Sequence, residues 1–194
     1  DEGPLANPAH YFILVGLFFL FIAGALAIIL PLDEKPGRAA VKITRTWYAP
    51  TGGLLIAGSG LYALIGFPLD DIWHRIFGQD VTLWGPTHLM LIGGAGLSLI
   101  GVLLLEHEGR LALAAARQTS PDEVDETAQG PRRSVLSWIL KASAFGGLLI
   151  GLSVFQIEFD FGVEQFRLVF QPMLIVGAGA FALVAARLVV GRGA

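Results

Sequence analysis

Cysteine is missing from this chain of 194 residues. Disulfides, thiolate metal sites and Cys nucleophiles are thereby excluded. Methionine occurs only twice, too few for a soft thioether surface that relays copper. Any metal bound here must be held by nitrogen and oxygen. Charge is scarce as well: Asp, Glu, Lys and Arg make up 15% of the residues, against about 25% in soluble domains. The net charge is −3, and no nucleic-acid partner is expected. The opening stretch DEGPLANPAH is acidic, starts without Met and lacks the basic region of a signal peptide. The start is therefore expected to be processed or truncated, and the first apolar block to be a retained helix.

What fills the chain instead is apolar. Hydrophobic residues account for 54%, and the mean hydropathy is +0.67. They fall into five blocks, about 11–31, 48–69, 84–105, 135–157 and 166–190. Each is near the roughly 20 residues that a helix needs to cross a bilayer. The expectation is an all-α integral membrane bundle, a single transmembrane domain of five spans, with a linker at about 106–134. Lys141 interrupts the fourth span, and Pro68 is expected to end the second.

The basic residues are distributed unevenly. Lys35, Arg38, Lys42, Arg45, Arg110, Arg117, Arg132, Arg133, Lys141, Arg187 and Arg192 all fall on one side of the five blocks. Only Arg75 and Arg167 fall on the other. The positive-inside rule then places the N-terminus and the connections at 70–83 and 158–166 outside the plasma (inner) membrane, and the C-terminus in the cytoplasm. Small residues four apart are expected to bring helices close: Gly53 and Ala57, Gly94 and Ser98, and Ser143, Gly147 and Gly151.

Polar chemistry concentrates in one stretch, DDIWHRIFGQDVTLWGPTHLM, from Asp70 to Met90. Asp70 and His74 are four apart, so on a helix they share a face. Gly78 reads as loop, and Gly85-Pro86 restarts a helix, with His88 in its first turn. Asp70, His74 and His88 can then converge at the lip of the membrane. Two histidines and a carboxylate suit copper, zinc or non-haem iron, with positions left open for water or substrate. Trp73, Phe77 and Trp84 would line the site and anchor the interface. The plainer alternative is a solvated acidic lip with an ordinary tryptophan belt.

The pattern D-x-x-W-H … D … P-T-H resembles the C subunit of the copper membrane monooxygenases, the particulate methane and ammonia monooxygenases. The resemblance covers about twenty residues and is diffuse elsewhere. It implies that Asp70, His74 and His88 hold a metal, usually copper, with Trp73 and Asp80 also matching. The gap between the two histidines is one residue longer here. The family can carry a second such motif on the next outer loop. The corresponding stretch EFDFGVEQFRLVFQPML keeps Asp160 and Glu164 four apart and Pro172 downstream, but has no histidine. The resemblance further implies other membrane subunits, a trimeric complex and partners that deliver electrons.

Around the ligands, Asp71 and Asp80 would orient the imidazoles. Glu158, Asp160 and Glu164 would donate a carboxylate to the site or pair with Arg75 or Arg167. His10 can approach from the first span, whereas His107 lies at the opposite membrane face and reads as solvated. The functional expectation is a metal-binding subunit that oxidises a small apolar substrate with dioxygen, its catalytic residues unassigned. The alternatives are a non-catalytic subunit with a structural metal or none, a haem held by His74 and His88, and a metal or proton conduit. A conduit needs polar residues inside the spans, which are nearly absent there.

Overall fold

The computed structural model describes residues 7–30, 40–78, 82–119, 131–162 and 167–190. Helix α1 spans Pro8–Ile29. Asn7 starts it, its side chain accepting the Ala9 N–H at 3.0 Å, and Pro8 sits where a missing N–H costs nothing. A short antiparallel ribbon follows, β1 (Val41–Lys42) with β2 (Tyr48–Ala49). Trp47 within it donates its indole N–H to the Ile28 carbonyl at 3.1 Å, which ties the ribbon to the end of α1.

Helix α2, Thr51–Phe77, is the centre of the bundle. Half of its most apolar window is buried, against 11% for α1 and for the two C-terminal spans. It has no side-chain cap of its own. Instead Glu108 reaches across from the next helix and accepts the N–H groups of Thr51 and Gly52 at 3.1 and 3.0 Å. Pro68 does not end α2, as the apolar pattern suggests, but lies inside it. An interior proline costs about 3 kcal/mol. Burial on both sides of it, at Phe67, Asp70 and His74, holds the helix together through that turn. The helix stops at Gly78, whose φ of +86° suits glycine.

Helix α3 runs over Pro86–Thr119 and so extends well into the stretch expected to be a linker. Helix α4 (Pro131–Ser153) passes through a 3-10 turn into the short α5 (Ile157–Phe161), and α6 covers Phe170–Val190. Five of these segments are long and apolar enough to cross a membrane. The chain is an all-α membrane bundle.

Small residues bring the first three spans together. A Cβ at Gly24 would collide with the backbone of Ala57, and one at Gly94 would lie 2.6 Å from the Ser59 carbonyl oxygen. Ser98, one turn beyond Gly94, meets Ser59 at 2.9 Å in a fully buried hydroxyl pair. Lys141, the interruption in the fourth span, pairs with Glu106 of α3 at 3.4 Å. Glu106 also accepts the Ser137 hydroxyl at 2.5 Å, so α3 and α4 are clasped at the end away from Asp70.

Candidate metal centre

Asp70 and His74 lie on the last turns of α2, and His88 on the first turn of α3. The end of α2 and the start of α3 bring all three together, with ligand atoms within 4.8 Å of one another. The Asp70 carboxylate is the hub. Its Oδ2 lies 3.5 Å from His74 Nε2, and its Oδ1 lies 3.4 Å from His88 Nε2. The imidazole rings tilt at 53° with centroids 5.7 Å apart. Asp70 is 4% exposed and His74 8%, so these two are not part of a solvated lip.

Each ring is held from behind. His88 Nδ1 lies 2.7 Å from the Thr82 carbonyl oxygen, and His74 Nδ1 lies 3.3 Å from that of Gly78. A carbonyl can only accept, so both Nδ1 atoms carry a hydrogen and both Nε2 atoms face Asp70, where a neutral ring offers a lone pair. Such outer contacts fix tautomer and orientation in metal sites. The Nε2-to-oxygen spacings exceed the roughly 2.7–2.9 Å of a charge-assisted hydrogen bond. They leave room between the atoms. Metal bonds of about 2.0–2.2 Å to nitrogen and oxygen place donors at most about 4.4 Å apart, so the set could hold an ion after small side-chain adjustments.

Thr87 completes the arrangement by donating its hydroxyl to Asp70 Oδ1 at 2.6 Å. It is buried, and the sequence reading overlooked it. Its position between Pro86 and His88, opposite Asp70, was the available signal.

The expected outer carboxylates divide. Asp71 binds Arg75 at 2.7 Å, one turn along the same helix, and the imidazoles take carbonyls in its place. A residue one position after Asp70 is rotated about a quarter-turn or more away from the site. Glu158 does reach the region. It is 2% exposed, and its Oε1 accepts the N–H of Leu83, in the connection between α2 and α3. Its Oε2 is buried and has no hydrogen-bond partner among the described residues. Asp160 turns away to accept the Gln171 amide at 3.0 Å. Asp80 and Glu164 lie outside the described residues. Trp73 stacks on Phe77 at 4.3 Å, and Trp84 on Phe155 at 4.8 Å. His10 meets the edge of Phe67 from α1, and His107 is exposed at the other end of the bundle.

Below Asp70 and His88 opens a cavity of about 590 Å³. It is bordered by α1, α2, α3, α4 and α6 and is partly open, and Leu91, Ile100, Leu148 and Phe181 are among its walls. Its ionisable lining residues are His10, Asp70 and His88.

Comparison with protein-family models, curated proteins and solved structures finds no match for this chain.

Proposed function

We propose that the chain is a metal-binding integral membrane subunit, resembling the C subunit of a copper membrane monooxygenase, that holds copper through Asp70, His74 and His88. One observation carries this reading. Two imidazoles turn their Nε2 atoms to the two oxygens of one buried carboxylate, at 3.4 and 3.5 Å, while backbone carbonyls hold both rings from behind. Nitrogen and oxygen donors of this kind accept copper, zinc and iron, and the resemblance at residues 70–88 selects copper. The uneven distribution of Lys and Arg puts the site toward the outer face of the plasma membrane.

Copper bound there would supply the activation of dioxygen. The chain's own residues do the rest. Thr87 fixes the plane of the Asp70 carboxylate, and the Thr82 and Gly78 carbonyls fix the rings, so the three donors are set before an ion arrives. The apolar cavity keeps water from one side of the site and admits an apolar substrate from the bilayer. Electrons have to come from partner subunits, since no flavin, haem or cupredoxin motif is present in the sequence, and the broad apolar faces of α1, α4 and α6 suit packing within a larger, trimeric complex.

Elemental analysis of the purified protein by mass spectrometry tests the reading, with His74→Ala and His88→Ala beside the wild type. The expected result is near-stoichiometric copper in the wild type and loss in both variants. Zinc in place of copper would move the assignment to a structural metal in a non-catalytic subunit. Protein prepared without chelators that holds no metal would overturn the ligand assignment.

A further inference from the structure

We propose that the cavity below Asp70 and His88 binds one aliphatic chain of roughly ten to fifteen carbons, with one end beside those two residues. The binding stands on the cavity alone; its meaning as substrate access rests on the metal-site reading above.

Size comes first. At about 590 Å³, the cavity lies within the roughly 300–1,000 Å³ range of pockets that hold drug-sized ligands. One water occupies about 30 Å³ in the liquid, so a one-carbon guest would fill only a small part of it. Shape comes second. The lining follows α3 from His88 to Ile100, which is about 18 Å of helical rise. That is the length of an extended chain, not of a compact ring.

Chemistry narrows the class further. His10, Asp70 and His88, the ionisable lining residues, all belong to the site end. Among the described residues, the walls beyond them are aliphatic, aromatic or glycine, with no side chain able to receive a headgroup. Apolar walls favour apolar guests, since burying hydrocarbon against them removes it from water. The body of the guest is therefore hydrocarbon, and any polar end belongs beside the histidines.

Of the glycines that line the cavity, Gly147 packs against Leu99 of α3, where a Cβ would lie 2.8 Å from a methyl carbon, and three others do not serve helix packing. Gly94 of α3 lies against α2, and a Cβ there would collide. Gly93, Gly96 and Gly151 line the cavity, and a Cβ at any of them would meet no atom of the described residues within 4 Å. A helix-interior glycine costs up to about 1 kcal/mol relative to alanine. At these three positions that cost secures no helix contact; it leaves width in the cavity. Gly151 was expected to bring helices together, and it borders open space instead.

The test uses the full-length protein in lipid nanodiscs and reads quenching of tryptophan fluorescence. Trp84 stacks on Phe155, which lines the cavity. The probe is dodecane carrying bromine at both ends. Gly96→Leu and Gly151→Leu fill the cavity without touching a ligand residue. Saturable quenching in the wild type, weakened at least tenfold in both variants, is the expected result. Dibromoethane should quench without saturating. A second arm uses nanodiscs of phospholipid brominated on its acyl chains. Quenching there that the same variants abolish identifies the chain as a lipid tail; its absence identifies a free hydrocarbon. Quenching by bromododecane that rises linearly, or that both variants leave unchanged, overturns the proposal, as does equal saturation by dibromoethane. Circular dichroism of the two variants confirms folding, and the wild-type curve decides the matter if they fail it. His74→Ala separates the two proposals, because it should lose metal and still bind the chain.

Discussion

Glu158 and His88 grip opposite ends of one peptide group. The Thr82 carbonyl receives the His88 Nδ1 hydrogen, and the N–H of the same peptide, that of Leu83, points to the Glu158 carboxylate. Hydrogen bonds in series polarise one another, so a carboxylate on the N–H makes the carbonyl a better acceptor. A buried group on the C-terminal half of the chain therefore acts on a candidate ligand that it does not touch.

Glu158→Gln keeps the shape and removes the charge. Metal affinity, measured by competition with a chelator of known strength, should fall by roughly tenfold, the lower end of what outer contacts contribute in metal sites. Glu158→Ala should cost more, because the 82–84 segment would also lose its anchor. Wild-type affinity in both variants would show that the relay carries nothing.

Thr87→Val replaces a hydroxyl by a methyl at a buried position and strips Asp70 of its donor. Leaving a buried acceptor short of a partner costs about 1–3 kcal/mol. Thermal unfolding of the metal-free protein should show a lower midpoint, and Thr87→Ser should recover most of the loss. A Thr87→Val protein as stable as wild type would show that Asp70 does not depend on this bond.

At the other end of the bundle, Glu108 serves α2 as a cap supplied from a distance. Glu108→Ala leaves the N–H groups of Thr51 and Gly52 without their acceptor and should destabilise the fold by about 1–2 kcal/mol. Metal content should not change, since the cap and the ligands sit at opposite ends of α2. A loss of metal in this variant, with stability unaltered, would contradict that separation.

Adjacent glycines of α3 should respond in opposite directions. Gly94→Ala forces a methyl group against the Ser59 carbonyl and Ala63 and should lower stability by about 1–3 kcal/mol. Gly93→Ala meets open space and should raise it by about 0.4–1 kcal/mol through the unfolded chain. Parallel thermal melts in one detergent make the comparison, and equal shifts of the same sign would contradict the two-faced reading of this helix.

Local chemistry explains which features were readable in advance. The five spans follow from composition, and the Asp70–His74 pairing follows from a spacing of four along one helix. His88 could be placed because a Gly-Pro step marks where α3 begins. The continuation of α2 through Pro68 could not, because it depends on burial that the surrounding helices supply. Asp71 illustrates the limit within a motif: one step of helical rotation moves it from the site to Arg75. The destination of Glu158 was hidden for another reason, since its partner Leu83 is 75 residues away in the chain.

All three candidate ligands belong to a single helical hairpin, and α2 and α3 share the most extensive packing in the bundle. That has a consequence for how the protein is made. The donor set is complete once α3 has left the ribosome and entered the bilayer beside α2. Glu158 and the walls contributed by α4 and α6 are synthesised afterwards. The order of translation therefore assembles the candidate ligands first, and then adds the latch behind His88 and the remaining walls of the cavity beneath it.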